Sequence, residues 1–136
     1  GYRHLAFFTA IDYIEEGTFR LVYMLHNYGL RHDLGVMVDI DRQGEGCRME
    51  SIHHLWPAAE TYQRELREMF GIDFPGSPRL EEDFALEGWD GTPPMRREFD
   101  TRAYSEETYY ARPGRHTHDT RAHMKEKLYP SEAETW

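Results

Sequence analysis

Histidine is the first residue type here that could do chemistry, and the 136-residue chain carries eight. His116-x-His118-Asp119 is the best ligand string, because alternate residues on an extended chain share a face, and His123 follows closely. A free-standing metal-dependent enzyme using the His116/His118 region is one reading of that pattern. His53 and His54 are adjacent and point apart on any regular element, which spoils them as a ligand pair. Glu60, Arg64, Glu65 and Glu68 form a second constellation, in which paired carboxylates would serve as general acid and base. Carboxylates interleaved with arginine on a solvated helix are more often ion pairs. Cys47 lies beside Arg48, but a lone loop cysteine is usually incidental. No G-x-S-x-G nucleophile, G-x-G-x-x-G turn or Walker loop is present, so no catalytic and no cofactor-binding residue is expected.

The bulk composition narrows the partners. A net charge of −9 argues against nucleic acid, whose binding depends on neutralising phosphates, and against an anionic membrane surface. Only Lys125 and Lys127 are lysines, so arginine supplies nearly all of the 16 basic residues. Its planar fork favours persistent ion pairs and interfaces. A single cysteine excludes an internal disulfide and cannot by itself ligate an iron–sulfur cluster. No apolar run approaches the ~20 residues needed to span a bilayer. These features predict an acidic, intracellular protein with one compact domain.

The elements that must position these residues follow from periodicity. Residues 5–13 are rich in aromatic and β-favouring types and predict a strand; Glu15-Glu16-Gly17 marks a turn. Phe19, Leu21, Tyr23 and Leu25 form one alternating face, as do Leu34, Val36, Val38 and Ile40 after a polar connection. Two alternating runs joined by a short loop predict an antiparallel hairpin. Ser51 is placed to cap a short helical turn carrying Ile52 and Leu55. A long helix then starts at Pro57, with Ala58, Tyr62, Leu66, Met69 and Phe70 as its apolar stripe. Glu60–Arg64 and Arg64–Glu68 are i,i+4 pairs on it, and Gly71 suits a left-handed C′ stop onto which Ile72 folds back.

This predicts an α+β fold: a small, mainly antiparallel sheet with a covering helix, compact over residues 1–78. From 79 to 136 no periodicity persists, yet Phe84, Trp89, Phe99, Tyr104, Tyr109, Tyr110, Tyr129 and Trp136 recur. Composition alone leaves disorder open. The aromatics favour instead a long irregular C-terminal arm laid on a partner, since aromatics and arginine dominate interface cores.

Two strings of residues carry a resemblance. Gln63-Arg64-Glu65, Glu68-Met69-Phe70-Gly71-Ile72, Phe74 and Gly76-x-Pro78 form the first. Gly88-Trp89-Asp90-Gly91 followed by Pro94-Met95-Arg96-Arg97-Glu98-Phe99 forms the second, and Thr9-Ala10-Ile11-Asp12-Tyr13 adds a strand segment. Together they resemble the C-subunit family of respiratory complex I (NADH–quinone oxidoreductase), which includes the homologous component of membrane-bound nickel–iron hydrogenases. The chain departs from that pattern at Gln63 for Glu, Glu68 for Asp and Ser77 for His.

The resemblance implies a non-catalytic scaffold subunit in the hydrophilic arm of a membrane-bound, ion-translocating electron-transfer complex. The chain itself would hold no cofactor and no metal. Iron–sulfur clusters, and nickel–iron or quinone, would belong to partner subunits: a large hydrogenase-like or quinone-site subunit and neighbouring iron–sulfur subunits. The resulting hetero-oligomer places the chain peripherally, on the cytoplasmic side of the cell membrane. Arg64, Glu65, Glu68, Trp89, Arg96, Arg97 and Phe99 are the expected partner-interface residues. The short N-terminal layer and Ser77 incline the expectation toward the hydrogenase branch. An acidic protein-binding module unrelated to electron transfer is the remaining alternative.

Overall fold

The computed structural model describes residues 1–108; residues 109–136, and with them His116, His118 and His123, lie outside the described residues. Strands β1 (His4–Tyr13), β2 (Thr18–Asn27) and β3 (His32–Asp41) form an antiparallel meander in the order β1-β2-β3. Gly17, at φ 69°, takes the left-handed conformation that closes the first hairpin, where Glu16 N–H donates to the Tyr13 carbonyl at 3.1 Å. The β2–β3 ladder runs unbroken from Thr18↔Asp41 to Asn27↔His32, whereas β1 carries a bulge between Leu5 and Phe7.

Alternation sorts the two sheet faces as the period-2 rule requires. Phe19, Leu21, Tyr23 and Leu25 of β2 and Leu5, Phe8 and Ala10 of β1 turn inward and are buried. Helix α1 (Ala59–Phe70) packs over β1, and Leu66 and Phe70 complete the core. Extended residues beside it add Cys47, Ile72 and Phe74 to the core. Met49 N–H donates to Asp73 O at 2.9 Å and Asp73 N–H to Cys47 O at 3.1 Å, while Ile72 and Phe74 are fully buried. The Phe74 ring meets Phe8 edge-on at 5.6 Å.

The helical stripe differs from the expected one. Ala58 is exposed, and Ala59, Gln63, Leu66 and Phe70 form the buried face, with Tyr62 and Met69 flanking it. A polar residue enters the core because Gln63 Oε1 accepts from Ser51 Oγ at 2.9 Å. Ser51 also accepts from His53 N–H at 3.2 Å, so it organises the expected turn before the helix. Gly71 ends α1 at φ 74° with its N–H on the Arg67 carbonyl.

The first compact unit runs from Gly1 to Phe99. Residues 79–99 lack regular secondary structure but return along α1 as a strap, held by hydrogen bonds to the helix side chains. A second unit begins at Asp100 and, within the described residues, contains an unexpected helix, α2 (Thr101–Thr108). Asp100 Oδ1 caps it by accepting from the N–H groups of Arg102 and Ala103, each at 3.0 Å, and Arg102 pairs with Glu106 one turn on.

Candidate functional site

The charged residues of α1 are the candidate constellation, and their partners lie mainly on the strap rather than along the helix. Glu60, Arg64, Arg67 and Glu68 share one flank at helical spacing. Glu60 receives Arg79, whose Nε lies 2.7 Å away. Arg64 donates to the Asp83 carbonyl at 2.7 Å, and Arg67 to Glu81 at 2.8 Å and Asp73 at 3.2 Å. Glu68 accepts three successive strap amides: Phe84 at 2.9 Å, Ala85 at 2.7 Å, and Leu86. A carboxylate facing consecutive N–H groups fixes a backbone turn, a structural task. Glu65 lies on the other flank beside Tyr62 and Met69, half-buried, and joins none of these ion pairs.

The strap's end enters the domain. Met95 N–H donates to the Met69 carbonyl at 3.0 Å and Arg96 Nε to the Phe70 carbonyl at 2.6 Å, so Arg96 closes the carbonyl end of α1. Its guanidinium also lies 5.2 Å from the centre of the Phe19 ring. A Cβ at Gly71 would stand 3.2 Å from Arg96 and 3.3 Å from Pro93, so this close approach and the positive φ both call for glycine. Arg97 N–H donates to Asp12 Oδ2 at 2.9 Å, and its side chain pairs with Glu15 at 2.7 Å.

Asp12 is the centre of this arrangement. It is an inward residue of β1, and Arg42 meets it with two bonds of 2.7 and 3.0 Å; the Arg42 and Asp12 side chains are 7% and 3% exposed. Arg42 also pairs with Glu98. The Arg42 guanidinium, and next the Arg97 amide, overcome the cost of burial and hold the Asp12 carboxyl below its ordinary value. Burial raises Glu98, but its own amide and Arg42 outweigh this and leave it lowered. Arg42 is raised, first by its hydrogen bonds to Asp12.

The charged groups of this arrangement are engaged with one another or with backbone. Every arginine just named is tied to a carboxylate or a carbonyl, and burial pushes the Cys47 thiol up and Tyr23 up to about 12, away from reactivity at neutral pH. Among the described residues no group of three His, Cys, Asp or Glu side chains is placed to hold a metal. A cleft of about 430 Å³ between α1 and the strap is lined by Arg64, Arg67, Glu68, Leu80, Leu86 and Trp89. Its charged walls are engaged in holding the strap, unlike the mostly apolar lining of a small-molecule site. Trp89 meets Phe99 at 5.7 Å and donates to the Thr92 carbonyl at 3.2 Å.

Of the seven expected interface residues, then, Arg64, Glu68, Arg96 and Arg97 bind the strap to the domain, Trp89 and Phe99 pack together on it, and Glu65 stands apart. Sequence reasoning missed Asp12, Arg42 and Glu98. The available signal was an aspartate at an inward position of an apolar strand, which demands a buried cation.

Comparison with known proteins agrees with this architecture. Residues 1–105 match the family described as respiratory-chain NADH dehydrogenase, 30 Kd subunit. The C subunit of NADH-quinone oxidoreductase from Moorella thermoacetica is 34% identical over 99 residues, covering 73% of this chain and 65% of that protein. The C/D subunit of NADH-quinone oxidoreductase from Pseudomonas fluorescens is 33% identical over 78 residues, covering 57% of this chain and 13% of that one. The chain therefore spans less than two thirds of the length of these relatives. Among solved structures, a chain of the membrane-bound sulfane sulfur reductase, an archaeal respiratory membrane complex, superposes with a TM-score of 0.76 at 32% identity, covering 85% of this chain and 71% of that one. With a match running from its first residue through the sheet, α1 and the strap, this chain belongs to the respiratory-chain NADH dehydrogenase 30 kDa subunit family, the C-subunit family of NADH–quinone oxidoreductase.

Proposed function

We propose that this chain is a non-catalytic scaffold subunit in the hydrophilic arm of a membrane-bound, ion-translocating electron-transfer complex, docked on the large subunit that carries the catalytic or quinone site. The observation that carries the reading is the likeness, over 85% of the chain, to a component of a respiratory membrane complex. The Pseudomonas fluorescens relative supports a large-subunit partner, because its name joins C and D in one polypeptide. The chemistry of the site supports the scaffold role: its charged groups are spent on holding irregular backbone in one conformation. The association with the membrane is peripheral and on the cytoplasmic side; no helix among the described residues is long and apolar enough to cross a bilayer.

On this reading the chain binds no cofactor, and the iron–sulfur clusters and nickel–iron or quinone belong to its partners. The interface lies on the exposed side of α1 and the strap, around Glu65, Trp89 and Phe99. Arg64, Glu68, Arg96 and Arg97 serve it by fixing the surface that is presented. Purification of the full chain from its native cell in mild detergent tests this. The expected result is co-purification at one to one with a hydrogenase-like or quinone-site large subunit, identified by mass spectrometry. Recovery of the chain alone, under conditions that keep the other subunits together, overturns it.

A further inference from the structure

The two edges of the sheet are finished differently. On β1 a bulge interrupts the edge strand, and side chains reach its backbone: Tyr62 OH donates to Ala6 O at 3.2 Å. Beside its start, Trp56 Nε1 donates to Arg3 O at 3.1 Å. Strand β3 has neither device. Its ten residues pair with β2 without a bulge, contain no proline, lysine or arginine, and accept no such side-chain hydrogen bond on their backbone among the described residues. Every second residue of such a strand turns its N–H and C=O away from the sheet, an open template for another strand.

Three further features mark this edge. Leu34 and Val36 are on the core-facing side of the sheet, opposite Leu25 and Tyr23, yet remain 38% and 40% exposed. Gly35, in the middle of β3, has no positive φ, and an added Cβ there would meet only Met24 Cε at an ordinary 3.7 Å. The fold itself does not require that glycine; close approach of another backbone would. On the outward side β3 carries Asp33, Asp39 and Asp41, around Met37 at 62% exposure. Arg20 of β2 holds Asp39 with bonds of 2.7 and 2.8 Å, and His26 lies 2.6 Å from Asp33, whose side chain stays 66% exposed.

We propose that β3 is a strand-addition site that receives an extended segment of a partner subunit, apolar at alternate residues and carrying Lys or Arg between them. Its apolar residues continue the inner face over Leu34 and Val36, and its cations lie opposite Asp33 and Asp41, since Arg20 already holds Asp39. The acids also exclude a second copy of this chain as the occupant. In the antiparallel register of greatest overlap, Asp33 of one copy lies near Asp41 of the other at both ends, a destabilising pairing. The inference rests on the proposed assembly into a larger complex and adds the edge by which a partner binds.

Hydrogen exchange over residues 32–41, compared between the full chain free and in its purified complex, tests it. The expected result is that the outward amides of β3, about half of the strand, exchange rapidly in the free chain and are slowed at least about tenfold in the complex. A second arm uses Leu34→Lys with Val36→Lys, which places charge on the added strand's apolar side. It is expected to lower recovery with the partner roughly tenfold while the free variant keeps a cooperative melt. Unchanged β3 exchange in a chain that still assembles overturns the strand-addition site and leaves the scaffold reading standing. A chain that enters no complex overturns both. Protection of β3 that depends on the concentration of the free chain names a second copy as the occupant and overturns the partner segment. Stronger assembly after Asp33→Lys with Asp41→Lys overturns its basic character.

Discussion

The strap is tied down at two ends by the same chemistry in different surroundings. Where it leaves the turn after α1, Arg79 reaches Glu60 from a side chain that is 58% exposed. Where it re-enters the domain, Glu98 and the Arg97 amide close on Asp12 and Arg42, which are almost wholly buried. An exposed ion pair competes with water and adds little. A buried pair gains little over an apolar substitute, but losing one partner strands a charge where water cannot reach it. The second anchorage therefore makes the strap part of the fold, and the first only guides its path.

The largest effect that sharpens this contrast is at Asp12. Asp12→Ala leaves the Arg42 guanidinium buried and without its main partner and should cost about 3–5 kcal/mol in denaturant unfolding. A loss comparable to that of a surface variant would mean that water reaches Arg42 and that the two ends are alike. The same pair sets an acid dependence. Because the folded carboxyl of Asp12 is held below its ordinary value near 3.8, its contribution is complete above that value and is lost as pH falls through the lowered one. Wild-type stability should thus drop in that acid range, and the drop should shrink in the Asp12→Ala protein.

Leu66, 2% exposed under the centre of α1, gives the next effect. Leu66→Ala should cost about 2–5 kcal/mol through the cavity it leaves. Glu68→Ala removes the acceptor of three strap amides and should cost about 1–2 kcal/mol. Its distinguishing sign is faster hydrogen exchange confined to residues 84–86. The smallest effect is at the exposed anchorage: Arg79→Ala should leave the melting midpoint unchanged within error. A clear shift there would show that the strap depends on both ends equally.

How far the sequence foretells this structure depends on the kind of signal. Strands β2 and β3 are legible because inward apolar residues recur at every second position from Phe19 to Leu25 and from Leu34 to Ile40. Strand β1, which a bulge interrupts, is legible by its aromatic and β-favouring types. The helix is legible in extent, and Gly71 marks its end, but its buried face is displaced because Gln63 is polar and only the Ser51 hydrogen bond explains its burial. The strap is not legible. Its order comes from side chains of α1 meeting strap backbone 16 to 19 residues away, and such contacts leave no period. Arg96 and Arg97 are conspicuous, and their type and spacing suggest a partner-facing role. In the fold one caps α1 and the other reaches Asp12 through its amide, which no side-chain pattern reveals. Helix α2 carries an N-terminal cap and an i,i+4 ion pair, with no apolar stripe to announce it.

On the proposed reading, strap, core and sheet edge alike supply shape to a larger assembly and none of its chemistry. Metal and flavin analysis of the folded full chain, separated from its complex under mild conditions, tests that claim most directly. The expected result is a cooperative melt with iron, nickel, zinc and flavin all well below one equivalent. One equivalent of any of them in the folded chain would contradict it.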